Sequence, residues 1–342
     1  MSLFHLIHVI PGKLEMTGVT SRVSLARNLE GIPFPESASS IWIDDIKQRL
    51  EKIYQHYLAP KKYRFVQLDA ISHKSLEDFF FQSLIPRGVL ENPLGRFLIY
   101  SKNKGILVNY HDHISVFSAV SGFDLDFVYR DVEKLDNLVE QNLDYAFRSD
   151  WGYLTSSPER LGTGMDVSLY IHLPALSLLY GEDRFTQWLR DKEFQVKNCR
   201  GENGIIGHIY HFSNLFTLGF SEWQILDSLK KFGMTLIKWE KQVRCTLKNS
   251  QTRRMELEEN VMMKGKQLFR SDNHTIKDVF DFLSLWALAW QCGIFSPHQG
   301  LNFIEVKKIL NKIWGTNFSL KRECIHILRF FRVISGEDVY DV

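Results

Sequence analysis

Residues 153–176 read YLTSSPERLGTGMDVSLYIHLPAL. Within them LGTGMDVSLYIHLP (161–174) passes from a glycine-punctuated loop into an apolar strand. Two other polar or glycine-rich segments interrupt the hydrophobic pattern, TSRVSLARNLEG (20–31) and NCRGENGIIG (198–207). Glycines in such loops let backbone N–H groups approach an anion, and arginines supply bidentate phosphate contacts. Neither a Walker A pattern nor a G-x-G-x-x-G fingerprint is present, which excludes an ordinary P-loop or Rossmann site.

Around these loops the first part of the chain mixes helices and strands. IWIDDIKQRLEKIYQHY (41–57) sets Ile46, Leu50, Ile53, Tyr54 and Tyr57 on one helical face. RFLIYS (96–101) and GILVNY (105–110) flank an Asn103-Lys104-Gly105 turn and read as a hairpin, with HISVFS (113–118) either extending one of those strands or forming the next. Residues 131–147 space Val132, Leu135, Val139, Leu143 and Phe147 as a helix. Ser221 with Gln224 is a capping box opening a long helix to about Leu247, and LKNSQTRRM (247–255) is a polar joint. Beyond it helices are expected near 255–271, 275–292, 302–313 and 319–332. The expected architecture is α+β over residues 1–250, followed by a small all-α domain over 251–342.

The 342 residues carry 42 Lys+Arg against 40 Asp+Glu, a formal net charge of +2. With 44% hydrophobic and 24% charged residues the chain is globular. Near-cancelling charge argues against nucleic-acid and membrane-surface partners. Cys199, Cys245, Cys292 and Cys324 lack ligand spacing and read as buried small hydrophobes in a reducing compartment. MSLFHLIHVIPGKLE at the start has no basic n-region, and no apolar run is long enough for a bilayer, so a cytoplasmic location is expected.

Taken in order, the three loops resemble the ATP:guanidino phosphotransferases, the family of creatine and arginine kinases, and most closely the branch of bacterial protein arginine kinases. SRVSLARNLEGIPFP (21–35) resembles the family's SSRVRLARNL-type start, and NYHDH (109–113) stands where the family has NEEDH. Residues 153–176 resemble its YLT-x-CP-x-N-x-GTG-x-R segment, and RGENGIIGHIYHFSNLFTLGFSE (200–222) its RG…SN…TLG-x-SE stretch. The likeness extends over roughly residues 14–335. It implies a large antiparallel sheet flanked by helices, with ATP bound over the sheet. It also implies in-line transfer of the γ-phosphoryl to a guanidinium, which needs alignment, a cation clamp and a carboxylate base.

Carried over position by position, the resemblance shows that clamp dismantled. Of the family's five phosphate-binding arginines, Arg22, after Ser21, and Arg200 are kept. The others are Ser24, Ser115 and Asp166, the last reversing the charge. The acidic pair of NEEDH is Tyr110 and His111, the second being the position of the proton acceptor. The family cysteine is Ser157, and the Asn position after it is Arg160. At about 1.5–3 kcal/mol per charged hydrogen bond, three lost arginines forfeit on the order of 5–9 kcal/mol. That is roughly three to six powers of ten.

The reading that follows is a protein-arginine-kinase-like pseudokinase with no intact catalytic residue and no resident cofactor or metal. It would act through a protein partner, arginine- or phosphoarginine-bearing clients being the class the resemblance suggests, with homo-oligomerisation left open. The alternative is a residual arginine kinase using Mg-ATP with His111 as base. His111, His113, His208 and His211 are a conceivable metal set, but scattered polar histidines are the commoner outcome. Arg22 and Arg200 either keep an anion site or pair with carboxylates, Asp166 being the obvious one. Arg27 and Asn28 read as structural contacts. Leu283, Ala287 and Trp290 form one buried stripe, with Trp286 and Trp314 also in the tail. Lys248, Arg253 and Arg254 read as a solvated linker.

Overall fold

The computed structural model describes residues 19–190, 194–201, 204–270 and 275–294. In chain order these form β1 (Val19–Arg27), α1 (Ser40–Ile53), β2 (Arg64–Gln67), α2 (His73–Phe81), α3 (Arg87–Glu91), β3 (Phe97–Ser101), β4 (Lys104–Val108) and β5 (Ile114–Ser121). Then come α4 (Leu125–Glu140), β6 (Phe147–Arg148), β7 (Gly152–Tyr153), β8 (Met165–His172), α5 (Pro174–Tyr180), α6 (Glu182–Arg190), β9 (Phe194–Gly201) and β10 (Gly204–Asn214). Helices α7 (Glu222–Asn249), α8 (Gln251–Arg270) and α9 (Ile276–Gln291) follow. The eight-stranded sheet has the order β2-β3-β4-β5-β1-β8-β10-β9. The pairings from β2 through β3, β4 and β5 to β1 are antiparallel. The α+β class with a large antiparallel sheet and flanking helices is therefore as expected. The expected helices near 302–313 and 319–332, Trp314 and Cys324 lie outside the described residues.

Two compact units are interleaved along the chain: residues 20–169 with 213–231, and 170–212 with 232–294. In the first, Leu68, Leu76, Leu84, Ile85, Val89, Leu98, Leu107 and Phe117 form one buried cluster. Helix α1 buries Ile46, Leu50 and Ile53, as its periodicity predicts, whereas Tyr57 is exposed beyond its end.

Two local expectations are corrected. The β3–β4 turn falls at Lys102-Asn103, not Asn103–Gly105. Gly105 is a strand residue, placed where a Cβ would lie 2.3 Å from the Ile99 carbonyl oxygen. Helix α4 begins at Leu125, six residues before the expected start, because the Asp124 carboxylate accepts the Phe127 N–H at 3.0 Å and caps it. It stops at Glu140, so Phe147 lies in β6 and is exposed.

The apolar face of α4 carries one charge, Asp136. Arg27 at the end of β1 answers it through Nε at 3.1 Å and Nη2 at 2.7 Å. Arg27 Nη1 also donates to the Thr163 carbonyl at 2.8 Å, and the guanidinium lies 3.7 Å from the Tyr153 ring centroid. Gly164 passes so close that a Cβ there would sit 2.7 Å from Arg27 Nη1. Burial pushes the Asp136 pKa up, while Arg27 and the Tyr145 hydroxyl pull it back. Both partners are almost fully buried.

In the second unit Glu240 of α7 is fully buried and accepts the Ala175 and Leu176 N–H groups at 3.0 and 2.9 Å. Its charge meets the free donors at the start of α5 and is balanced by Arg244 Nε at 2.7 Å. The reciprocal Ser221–Gln224 bonds form the expected capping box before α7. Leu283 and Ala287 of α9 are buried, with Trp286, whose ring centroid lies 5.8 Å from that of Trp290. Arg254 donates to the Gly293 carbonyl, so part of the basic joint is a strut. Among the described residues no helix is long and apolar enough to cross a membrane.

Removing one member of the buried pair leaves the other charge unpaired. Arg27→Met is therefore expected to cost about 3–5 kcal/mol in urea unfolding, and Arg27→Met with Asp136→Leu markedly less. Equal losses in the single and double variants would contradict the pairing.

Candidate functional site

In the first unit, alternation along paired strands gathers the motif positions on one face of the sheet. Opposed residues share a face, and here Ser24 faces Phe117 while Ala26 faces Ser115. With Arg22 they floor a cavity of about 490 Å³. Its walls come from the 83–86 turn, from Tyr110 and His111, from Ser156–Arg160, and from Asp166 on β8. The structure thus brings together Arg22, Ser24, His111, Ser115, Ser157 and Asp166. Ser21 lies at the other side of β1, its hydroxyl donating to the Gly122 carbonyl and accepting the Asp124 N–H. Arg200 belongs to β9, and its side chain falls outside the described residues.

The partners of these groups define the chemistry. Arg160 binds Asp166, whose other oxygen accepts the Ser168 hydroxyl at 2.9 Å. The carboxylate expected to face Arg22 or Arg200 is thus engaged by Arg160, the residue at the family's Asn position. Arg22 Nη1 donates to the Ser83 carbonyl at 3.1 Å, and its guanidinium lies 4.8 Å from the Phe117 centroid. Ser83 has a left-handed backbone, φ 54°, which turns that carbonyl toward Arg22. His111 is exposed, its Nδ1 3.8 Å from a Glu36 oxygen. Tyr110 lies with its ring 4.0 Å from that of His111 and 5.2 Å from the Arg96 guanidinium, and burial raises its phenol pKa.

Two arginines, Arg22 and Arg160, stand against four carboxylates on the described lining, Glu36, Asp112, Glu159 and Asp166. Leaving His111 aside, the described residues of the wall carry two more carboxylates than guanidinium groups. A triphosphate entering it would lose hydration and meet repulsion.

Other motif residues are scaffold. Asp112 Oδ1 accepts both Asn28 Nδ2 and the Ser156 N–H at 2.7 Å, tying the 154–160 loop to the β4–β5 turn. Asn28 Oδ1 accepts the His113 N–H. His113 is buried, with Nδ1 accepting the Leu29 N–H at 3.0 Å and Nε2 donating to the Pro33 carbonyl at 2.7 Å. Both ring nitrogens are thereby committed, and burial pulls the pKa down. His113 is therefore unavailable to the metal set that its spacing from His111 had suggested. The 83–86 wall and the Arg160–Asp166 pair went unread in the sequence. Opposite charges six positions apart, both at departures from the motif, were the available signal for the pair.

With this geometry in view, comparison with known proteins defines the class. Residues 42–243 match the family model "ATP:guanido phosphotransferase, C-terminal catalytic domain", and the chain belongs to that family. The protein-arginine kinase of Clostridium acetobutylicum is 32% identical over 322 residues, 90% of this chain and 92% of that protein. The protein-arginine kinase of Bacillus subtilis is 32% identical over 247 residues, 71% of this chain and 68% of that one. Among solved structures, a lombricine kinase aligns with a TM-score of 0.59 at 17% identity over 72% of each chain. The substrate-free duplicated taurocyamine kinase of Schistosoma mansoni aligns at 0.60 and 20% identity, over 80% of this chain and 42% of that one. These two likenesses concern the fold.

His113 sets a pH dependence. Its pKa is lowered in the folded state, so on acidification the unfolded chain takes up the proton first. Its stabilising contribution is full above the ordinary value of 6.5 and is lost as pH falls below it. His113→Asn is expected to flatten the acid limb of the stability–pH curve by about 1.4 kcal/mol per pH unit. An unchanged slope in denaturant titrations from pH 7 to 5 would refute the neutral, doubly bonded ring.

Proposed function

We propose that this protein-arginine-kinase-like protein is a pseudokinase that acts by binding a protein partner and does not transfer phosphoryl groups. One observation carries the reading: the charge-reversed Asp166 is held by Arg160 in a lining with surplus carboxylates. In-line phosphoryl transfer depends on cations that cancel charge building on the transferred group. Here one former arginine position contributes an anion, and the arginine that approaches it is spent on neutralisation. Ser24 and Ser115 supply hydroxyls, which cannot replace the lost charge. His111 is exposed at the rim, with no guanidinium clamp among the described residues to align a substrate against it.

Binding would be to arginine- or phosphoarginine-bearing client proteins in a bacterial cytoplasm, or to a protein that this one regulates. Association with a second copy is compatible with the same role. A lining with excess carboxylates suits a cationic side chain better than a nucleotide.

Incubated with Mg-ATP and an arginine-containing protein, the chain is expected to form no phosphoarginine by phosphorus NMR or mass spectrometry. Calorimetry is expected to show no ATP or ADP binding tighter than millimolar. Phosphoarginine formation that disappears in Arg200→Ala would overturn the reading in favour of an active arginine kinase. Because Asp166 and Arg160 are paired, Asp166→Arg alone would set two guanidinium groups together. Restoring the clamp therefore takes Ser24→Arg, Ser115→Arg and Asp166→Arg with Arg160→Asn. That variant is expected to tighten ATP binding by about three to six powers of ten, at about 1.5–3 kcal/mol for each of the three restored contacts.

A further inference from the structure

A second polar cluster lies buried in the other unit. Glu182 opens α6, His208 lies in β10, and Asp281 is on α9. The imidazole and the two carboxylates each offer an atom within 4.8 Å of the others. His208 and Asp281 are both more than nine-tenths buried. We propose that Glu182, His208 and Asp281 form a divalent transition-metal site, suited to zinc, that clips α6, β10 and α9 together.

The spacing is the first argument. His208 Nε2 lies 3.5 Å from Glu182 Oε1. That is too long for a charge-assisted hydrogen bond, which closes to about 2.7–2.9 Å. It is close to the roughly 3.4 Å separating two ligands on one tetrahedral zinc ion, given bonds of about 2.0–2.2 Å. Imidazole with carboxylates is a donor set such an ion accepts.

The surroundings orient the ligands. His208 Nδ1 and His172 Nε2 each lie 2.7 Å from Ser284 Oγ. Two proton arrangements satisfy this chain. In one, His208 Nδ1–H donates to Ser284, whose hydroxyl donates to His172, leaving the His208 Nε2 lone pair aimed at the two carboxylates. A metal ion selects that arrangement, and the serine then holds the ring as hydrogen-bonded supports of metal-bound histidines do. The Gly207 N–H fixes Asp281 Oδ1 at 2.8 Å. His208 itself has a left-handed backbone, φ 55°, a conformation that costs energy for a residue other than glycine.

Lys277 is the competitor. Its ammonium lies 2.7 Å from Asp281 Oδ2 and 3.5 Å from Glu182 Oε2. It is partly exposed and sits on the first turn of α9, so it can swing into solvent. Two carboxylates with a neutral imidazole match a dipositive ion in charge, whereas one ammonium leaves a surplus negative charge. By residue type alone His208 groups with His111, His113 and His211. Its partners in the fold are carboxylates far away along the chain.

The test uses the full chain, stripped with chelator and titrated with zinc by calorimetry and with cobalt by visible absorption. One equivalent is expected to bind, with d–d bands of a low-coordinate cobalt site and a thermal midpoint that rises with zinc. Glu182→Gln, at a half-buried position tolerant of change, and His208→Ala are each expected to weaken binding by roughly a hundredfold. Lys277→Met, which removes the competitor, is expected to tighten it by about tenfold. Zinc binding that is absent, or that persists unchanged in Glu182→Gln, overturns the site. So does a Lys277→Met variant that loses stability without gaining affinity, since Lys277 would then be the permanent counterion.

Discussion

The first unit depends on one guanidinium. Arg27 satisfies the single carboxylate on the buried face of α4, accepts Tyr153 against its plane and donates to the loop that carries Thr163. Through it β1, α4, β7 and the Gly162–Gly164 loop share a common anchor. A planar, five-donor cation can do this where an ammonium could not. Gly164 lies beside the same anchor, with φ 66°, where a Cβ would meet the Ala26 carbonyl oxygen at 2.4 Å and Arg27 Nη1 at 2.7 Å.

The motif SRVSLARN therefore has two kinds of residue interleaved at strand period. Ser24 points to the cavity, where its family counterpart is a phosphate ligand. Arg27 and Asn28 hold the scaffold, Asn28 by bridging Asp112 and His113. Arg27 and Asn28 match the motif, as does Arg22 in the cavity, whereas Ser24, Ser115 and Asp166 depart from it. Family membership is accordingly plain at about a third identity.

Much of this was legible in the sequence. Motif register assigned Arg22, Ser24, Ser115, Ser157 and Asp166 to one place, and the strand pairing puts them around one cavity. Periodicity gave α1, and the Ser221–Gln224 capping box gave the start of α7. It misplaced α4, because the Asp124 cap outweighs an apolar pattern that continues past Glu140. It misread Gly105 as a turn residue, because close approach of two strands and a positive φ both call for glycine and sequence does not separate them. The Ser83 wall and the Glu182–His208–Asp281 cluster were invisible for another reason. Each joins elements through tertiary geometry alone, and no local pattern encodes it.

The left-handed turn at Ser83 has a wider consequence. By directing its carbonyl at Arg22, it gives that arginine a structural task, supplemented by the Phe117 ring. A residue with two duties is the last to drift when one of them lapses. In lineages that have abandoned a reaction, the survivors in the old site are then a biased sample, enriched in side chains that also brace the wall. Counting them overstates how much chemistry remains.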